Sequence, residues 1–400
     1  MATPTLPREA LPPPPRELVL QSNIRFLHPG YPDHQNTLLS LPRVDLGPAN
    51  DGGTRIAGVH HGTALVACQI IANNAFDGHL AEDAGGQQLV DAPLDSILAR
   101  DVYYFFVGDG PSQYPIVPSF RDWAFPHNRI PEPWLSATHT PPDSSGGVNG
   151  MSVCSISGFR VPLEAAHIVP KKEQLWWKRN DMNIYRADPL NDIDDFANLL
   201  GLRADLHSIF DARMFAIVPR NSLLATHVLS PQAADYWPTH HNVPVRHLGI
   251  NSTPYLFARF AWAILLGVKP FICQGPQRSV IQLQIDDKNM PSYSVEILNG
   301  SQLTSQYGGG GSKDATPLGK RNRSAQDSEV GLDDSDAMDD DFWDEYNIWD
   351  DKQGTWRRKR QRSSDETAPQ EHDKPILTER DEADLIKAAA QIVGSQEEMA

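Results

Sequence analysis

Three short patterned segments in the middle of the chain restrict its fold more than any other feature of the sequence. Glu164 to Pro170 (EAAHIVP) has the composition of a strand that enters a turn, and Asn198 to Leu202 (NLLGL) has that of a second short strand. Arg203 to Ala212 follows directly, with apolar residues at the spacing of a helix that buries one face. The order strand, strand, helix predicts a ββα hairpin unit in which each element carries a polar side chain.

The polar side chains of this unit suit the hydrolysis of a phosphodiester. That reaction needs a base to deprotonate water and a cation to neutralise charge on the scissile phosphate. His167, at the end of the first strand, is well placed as the base, and the helix brings His207 across the hairpin into the same cavity. His207 and Asp211 are four residues apart, so both face one side of the helix and can approach one ion. An ion with few protein ligands, completed by water and phosphate oxygens, is typical of Mg²⁺.

The same residues carry a resemblance to a known family. The pattern CxISG…LEAAHIVP…N-x8-H-x-x-F-D, followed by F-x-I-V-P, resembles the HNH endonuclease domain, in the subtype found in many fungal proteins. The resemblance implies that His167 is the general base that activates water. It also implies that Asn198 braces the hairpin and helps to position the base, and that His207 is a ligand of the metal ion.

One position departs from the family pattern. Many HNH enzymes have Asp or His immediately before the base histidine as a second metal ligand, and here that residue is Ala166. Because side chains alternate along a strand, Glu164 lies on the same side as residue 166, one step back. Glu164 and Asp211 are therefore the remaining candidates to hold the ion, directly or through water. Each also has an ordinary interpretation, as a solvated strand residue and as a residue at the helix end.

The residues from Lys171 to Phe196 are long for the hairpin connection and predict an insertion or a lid. Trp176 and Trp177 fit either stacking on bases or anchoring of the insertion to the core, of which anchoring is the more common role. Residues 150–220 contain nine basic and nine acidic residues, so this region has no surplus of positive charge for gripping phosphates. The candidate nucleic-acid contacts are the basic residues of the insertion, namely Lys171, Lys172, Lys178 and Arg179.

Composition divides the rest of the chain. Residues 1–17 are proline-rich and predicted to be disordered. Residues 18–135 contain short aromatic and β-branched runs and predict a mixed, β-rich α+β domain of unknown role, in which 63–72 fits a buried strand or a short helix. Residues 136–150 have the composition of a linker. Residues 151–287 form the predicted HNH-like domain, which ends in an apolar helix over 253–267.

Residues 288–400 are predicted to be a disordered, acidic tail. The last hundred residues contain 13 basic and 23 acidic residues, and aromatic residues are spaced among the aspartates of 332–351. That run fits either a docking segment for a protein partner or a solvated tail. Residues 374–394 fit a closing helix. A compact basic cluster predicts a nuclear-import signal, a nucleic-acid patch or a balance for the acidic run, and consists of Arg357, Arg358, Lys359, Arg360 and Arg362.

Several function classes are disfavoured by the whole sequence. A net charge of -16 argues against coating of nucleic acid by bulk charge, so DNA binding must come from a local site. Three distant cysteines exclude a disulfide framework and a four-cysteine zinc module, and Cys154 is expected to be a buried apolar residue. The longest apolar stretch, Tyr255 to Val268, is interrupted by Arg259 and is expected to be too short for a bilayer. We expect an intracellular protein, with the nucleus as one location, and the sequence is silent on oligomeric state.

The sequence therefore predicts an α+β protein with a central HNH-type ββα-metal domain. The first hypothesis is a metal-dependent endonuclease that hydrolyses nucleic-acid phosphodiesters. DNA is the expected substrate, and one divalent ion, Mg²⁺, is the expected cofactor. The alternative is an inactive HNH-fold scaffold, or a nuclear interaction protein that works through its acidic-aromatic tail. Ala166 and the neutral charge of the HNH segment favour that alternative. The pairs His60-His61 and His240-His241 have no third ligand at suitable spacing and are predicted to be structural or exposed.

Overall fold

A computed structural model describes residues 22–49, 53, 55–138, 152–249, 251–285 and 291–308. It also gives two short strands farther along, β14 (Trp349–Asp350) and β15 (Thr355–Trp356). Several predicted segments lie outside the described residues: the proline-rich start, most of the 136–150 linker, almost all of the acidic-aromatic run, the basic cluster and the closing helix.

The first half of the described chain is built on two small sheets. One sheet has the order β2-β1-β7-β5, with β1 and β7 parallel and the other pairs antiparallel, and the second has the order β3-β4-β6. Residues 63–72, which fitted either a strand or a helix, lie almost entirely in helix α1. His60 caps the start of this helix, because its side chain accepts a hydrogen bond from the Thr63 amide. The elements are β1 (Ile24–Leu27), β2 (Thr37–Leu41), β3 (Asp45–Ala49), β4 (Arg55–His60), α1 (His61–Ile71), β5 (His79–Ala81), β6 (Ile97–Leu98), β7 (Val102–Phe106) and α2 (Glu132–Ser136).

The second half contains the predicted ββα unit and the elements that support it. Strands β8 and β9 pair antiparallel, and α4 begins directly after β9, as the sequence predicted. The elements are β8 (Leu163–His167), α3 (Gln174–Arg179), β9 (Leu199–Arg203), α4 (Ala204–Asp211), β10 (Phe215–Arg220), β11 (Leu223–Val228), α5 (Trp237–His240), α6 (Ser252–Ile264), α7 (Lys269–Cys273), β12 (Arg278–Ile285), β13 (Pro291–Leu298) and α8 (Gly300–Tyr307). Helices and strands are mixed throughout, which confirms the predicted α+β class.

Helix α6 lies in the centre of the core. Together with a 3₁₀ turn and α7 it forms a helical stretch from Ser252 to Cys273 of 22 residues, which is long and apolar enough to cross a membrane by length and composition. The expectation that this stretch is too short was therefore wrong on length. However, 72% of its most apolar part is buried inside the protein. Burial of that extent is what a core helix shows.

One hydrophobic core extends through both predicted domains. The Trp123 and Trp176 rings are stacked, with their centroids 5.6 Å apart. The centroids of the Phe76 ring and the Phe257 ring of α6 are 6.3 Å apart. Such aromatic pairs bury large apolar areas and dominate the energetics of a core. The two parts of the chain are therefore packed together, and the domain boundaries themselves stay a prediction.

The start of the predicted disordered tail is ordered. Residues 291–298 form β13, which pairs along its whole length with β12, and α8 begins with a capping box between Asn299 and Gln302. In β13 the apolar residues Tyr293, Val295 and Ile297 alternate with small or charged ones. This period of two is typical of a strand. The sequence prediction missed it because the remaining tail is strongly acidic. Residues 291–308 are therefore ordered, although the prediction placed them in the disordered tail.

Candidate active site

His167 is the last residue of β8 and lies opposite Leu199 of β9. Its side chain is 20% exposed, and its Nε2 lies 2.8 Å from Oδ1 of Asp194. The same carboxylate oxygen lies 3.0 Å from Nζ of Lys171. Hydrogen bonds from Lys171 and His167 hold the pKa of Asp194 below its usual range, although burial opposes this. An ionised carboxylate only accepts hydrogen bonds, so Nε2 of His167 carries the proton and Nδ1 presents its lone pair.

The environment of His167 keeps the imidazole neutral. Burial lowers the pKa of His167 below its usual value of 6.5, while the hydrogen bond to Asp194 opposes this shift. A neutral imidazole with a free lone pair at Nδ1 is the form that can accept a proton from water. Asp194 was not among the predicted residues, because an aspartate within the acidic run of 192–195 carries no local signal for such a contact.

Asn198 holds the two chain segments that carry this histidine and its carboxylate partner. It is fully buried. Its side-chain oxygen accepts from the Val169 amide at 2.8 Å, and its Nδ2 donates to the carbonyls of Val169 at 3.0 Å and Ile193 at 2.8 Å. Val169 lies two residues after His167, and Ile193 immediately precedes Asp194. The amide therefore fixes the separation of the two segments without contacting either acid–base group itself.

The insertion that carries Asp194 is anchored to the core. Trp176 and Trp177 are both buried, which supports their role as anchors. The carboxylate of Asp195 is fully buried and accepts backbone hydrogen bonds from Ala187, Asp188 and Ala197 at 2.9–3.0 Å. Such a densely bonded segment holds Asp194 at a fixed position next to His167.

His207 of α4 lies between two carboxylates. Its Nδ1 is 2.7 Å from Oε2 of Glu164, and its Nε2 is 3.1 Å from Oδ2 of Asp211. The hydrogen bond to Asp211 raises the pKa of His207 above 6.5, with a further contribution from Glu164 and against the effect of burial. The two carboxylates beside the ring therefore favour the protonated imidazole, in contrast to the surroundings of His167. Opposite shifts in two neighbouring histidines are typical of a site with divided acid–base roles.

The predicted metal ligands do not converge on one point. Glu164 and Asp211 contact opposite nitrogens of the His207 ring, so the two carboxylates are separated by the imidazole. Ala166 is fully buried and offers no ligand atom. Nε2 of His207 and Oδ2 of Asp211 are separated by 3.1 Å, the distance of the ion pair that joins them. These two atoms are the pair that could bind one ion in place of the shared proton, with Glu164 orienting the ring from its other nitrogen.

Arg259 of α6 contacts both ends of the hairpin unit, at Ile168 after β8 and at Asp211 of α4. It is 1% exposed and lies 3.3 Å from Oδ1 of Asp211. Burial lowers the pKa of Arg259 to about 10, which leaves the guanidinium charged at neutral pH. In the sequence Arg259 was only an interruption of an apolar run. A single charged residue in an otherwise apolar, buried helix is the one sequence signal that could have identified Arg259 as functional, because charged residues are rarely buried without partners.

The predicted phosphate contacts lie in different surroundings. Lys172 lies 4.9 Å from the Trp262 ring, and Arg213 lies over the same ring at 3.7 Å. Lys171 pairs with Asp194, and Lys178 lies 3.9 Å from Asp192. Arg179 is half-buried at the end of α3. Trp262 also contacts Arg259, so Lys172 and Arg213 flank the same end of the site, and the sequence analysis did not predict Arg213.

The comparison with family models decides what this arrangement is. Residues 154–218 match the model described as HNH endonuclease. This segment is an HNH domain. The match includes β8, β9 and α4 and supports a nuclease-type function for the domain, and it ends before α6. A search of the curated proteins and a search of the solved structures each found no match.

A second group of potential ligands lies elsewhere in the fold. Asp45 on β3, His227 on β11 and His241 after α5 place ligand atoms within 4.8 Å of one another. Arg220 already occupies this position: it donates to both carboxylate oxygens of Asp45, at 2.5 and 3.1 Å, and to Nδ1 of His227. Burial favours a neutral Asp45, but the hydrogen bond from His241 and the charge of Arg220 hold the pKa of Asp45 well below its usual range.

The tautomer of His241 also disfavours an ion in this group. Its Nδ1 accepts a hydrogen bond from the Val228 amide, so its Nε2 carries the proton that is donated to Asp45 at 2.8 Å. A histidine binds a metal through a nitrogen with a free lone pair, and Nε2 of His241 has none in this tautomer. The group is therefore a buried ion pair between two parts of the chain, in which the guanidinium is the cation. His60 and His61 are also buried and hydrogen-bonded, as expected for structural residues.

Proposed function

We propose that this protein is a metal-dependent endonuclease whose HNH domain hydrolyses phosphodiester bonds of nucleic acid, with DNA as the first substrate to test. The observation that carries the proposal is the His167–Asp194 pair, which Arg259 links to the His207–Asp211 pair, with both pairs in the segment that matches the HNH endonuclease model. The first pair supplies a neutral base, and the second supplies the donor atoms for an ion.

His167 acts as the general base. Its Nδ1 accepts the proton of the attacking water, and Asp194 stabilises the imidazolium that results through the hydrogen bond at Nε2. A carboxylate on the far nitrogen also keeps the ring in the correct tautomer. Asn198 contributes by position, since it holds the strand end and the Asp194 segment at a fixed distance.

His207 and Asp211 would hold the divalent ion, and Glu164 keeps the His207 ring oriented. When bound, the ion would supply charge neutralisation at the scissile phosphate and the leaving oxygen. Nε2 of His207 would be unprotonated in this role, while Nδ1 keeps its hydrogen bond to Glu164. The residues present suit Mg²⁺ or Mn²⁺, because one nitrogen and one carboxylate leave room for water and phosphate oxygens.

The phosphate backbone is bound by basic residues at the rim. Lys172 and Arg213 lie on the Trp262 ring beside the site, and Lys171 lies next to Asp194. Such contacts position a nucleic acid without reading its sequence. Since the HNH segment is neutral overall, binding is expected to be weak and sensitive to salt.

The test is nicking of supercoiled plasmid by the full-length protein with Mg²⁺ or Mn²⁺, with EDTA as the first control and His207→Ala as the second. We expect metal-dependent nicking that EDTA abolishes and that the variant loses. The full chain is needed because the HNH domain shares its core with residues 22–138.

The alternative is an HNH fold that has lost catalysis, which the buried Ala166 at a family ligand position favours. In that case a folded sample cleaves nothing with any of these ions. Cleavage that survives both EDTA and His207→Ala also contradicts the proposal, because it points to a contaminating nuclease.

A further inference from the structure

Arg259 bridges the two elements that carry the site. Its guanidinium donates to the carbonyl of Ile168 at 3.2 Å, and a longer contact of 3.5 Å reaches the carbonyl of His167. It also donates to the carbonyl of Phe210 and to Oδ1 of Asp211 at 3.3 Å. One side chain therefore contacts the end of β8, which presents the proposed base, and the end of α4, which presents the proposed ion ligands.

The guanidinium is held in place from its faces as well as its edges. It lies 3.7 Å from the centroid of the Phe210 ring and 4.4 Å from that of Trp262. Cation–π contacts of a buried guanidinium stabilise it and fix its plane. Arg259 therefore has little freedom to move, and the groups bound to it share that rigidity.

We propose that Arg259 is a positioning residue that completes the HNH site from outside the matched segment, by fixing the end of β8 relative to Asp211. This inference rests on the proposed function, since it concerns the same base and the same ion ligands. It deepens that proposal: the segment 154–218 is not a self-sufficient catalytic unit, because α6 supplies the residue that sets the spacing of its two halves.

The planar fork of arginine is what this position requires. Several acceptors on two elements must be reached from one buried group, and the five N–H donors of a guanidinium diverge in fixed directions. Lysine has a single charged atom and cannot span the same acceptors. A lysine at this position is expected to keep the charge near Asp211 and to lose the bridge to β8.

The experiment compares Arg259→Met and Arg259→Lys with a matched control, Arg278→Met. Arg278 is equally buried, donates to the carbonyls of Phe271 and Gln35, and stacks on Phe271 at 3.7 Å, without contacting the site. Four quantities are measured on the full-length protein: the free energy of unfolding, the Mn²⁺ dissociation constant, and kcat and KM for nicking. The first separates a general loss of stability from a loss of positioning.

We expect Arg259→Met to weaken Mn²⁺ binding and to lower kcat, each by about 10- to 100-fold, with KM little changed, as for loss of residues that orient metal ligands. Arg259→Lys should recover part of the Mn²⁺ affinity and little of kcat. Arg278→Met should lower stability to a similar degree and leave both quantities within about twofold of the wild type.

The outcomes separate this inference from the proposed function. If the wild type binds Mn²⁺ without cleaving, the proposed function fails, and the affinities of the variants still decide the role of Arg259. If both arginine-to-methionine variants lose affinity and kcat equally, Arg259 is only structural and the inference is overturned. Unchanged affinity and kcat in folded Arg259→Met also overturn it. If the wild type neither binds Mn²⁺ nor cleaves, both proposals fall.

Discussion

At the scale of single residues, the site depends on two histidines with opposite electrostatic environments. Burial lowers the pKa of His167, whereas carboxylates on both ring nitrogens raise that of His207. The residue types and their order were predictable from the sequence, because they belong to one local motif. Their partners were not all predictable: Asp194 reaches His167 from a loop, and nothing local to Asp194 distinguishes it from its acidic neighbours.

The Asp194→Asn variant tests the orientation of the base. His167 acts only when neutral, so activity is present above its pKa and is lost as the pH falls through it. Burial lowers that pKa below 6.5. The acid limb of kcat/KM for the wild type should therefore lie below pH 6.5, when it is measured at saturating Mn²⁺ so that protonation of His207 does not limit the rate. Asp194 opposes this shift, so the variant should move the limb to still lower pH and reduce the plateau about 10- to 100-fold. A limb that moves upward contradicts this role.

The raised pKa of His207 predicts a pH dependence of metal binding. Binding at Nε2 displaces a proton, so the affinity should fall about tenfold for each unit that the pH lies below the pKa of His207. Because that pKa is raised above 6.5, the fall should already have begun at about pH 6.5. Calorimetric titration with Mn²⁺ between about pH 6 and about pH 8 measures it. An affinity that is constant over this range excludes His207 as a ligand.

At the scale of elements, the hairpin and helix were predicted because their patterns are local. Strand β8, strand β9 and helix α4 follow from alternation and helical spacing within 50 residues of chain between 163 and 211. Strand β13 and helix α8 were missed, since the acidic composition of the tail concealed a short alternating segment. The contact of α6 with the site was also missed, because it joins residues 48 positions apart in sequence.

The Asn198→Ala variant tests the brace between elements. The substitution leaves the Val169 amide and the carbonyls of Val169 and Ile193 without their partner in a buried position. Each unsatisfied buried group costs about 1–3 kcal/mol, so the variant should lose at least about 2 kcal/mol of unfolding free energy. Asn191→Ala, at a half-buried position, serves as the control and should lose less than about 1 kcal/mol. If urea denaturation gave equal losses of unfolding free energy for Asn198→Ala and Asn191→Ala, Asn198 would not hold the two segments together.

At the scale of the whole molecule, the two predicted domains are joined by a buried charge network as well as by aromatic contacts. Asp45 belongs to the N-terminal part, and its partners Arg220 and His241 belong to the second part. The contact between Asp45 and Arg220 joins residues 175 positions apart, and no local sequence pattern predicts it. The segment that matches the HNH model is therefore embedded in a larger core.

The Asp45→Ala variant tests this junction. Removing one partner of a buried ion pair leaves an uncompensated charge, which typically costs about 3–5 kcal/mol. The matched control is Asp101→Ala, which removes a carboxylate that is 80% exposed from its pair with Arg43 and should cost less than about 1 kcal/mol. Chemical denaturation followed by tryptophan fluorescence compares the two. Similar small losses would mean that the network contributes little to the junction.

The role of His167 as the base of a metal-dependent nuclease is tested by single-turnover cleavage by His167→Ala with and without added imidazole. A positioned base contributes about 10²- to 10⁴-fold, so the variant should lose that factor in rate while its Mn²⁺ affinity is unchanged. Imidazole should restore part of the rate, because a small base can enter the vacated space. Full activity in the folded variant would contradict the account.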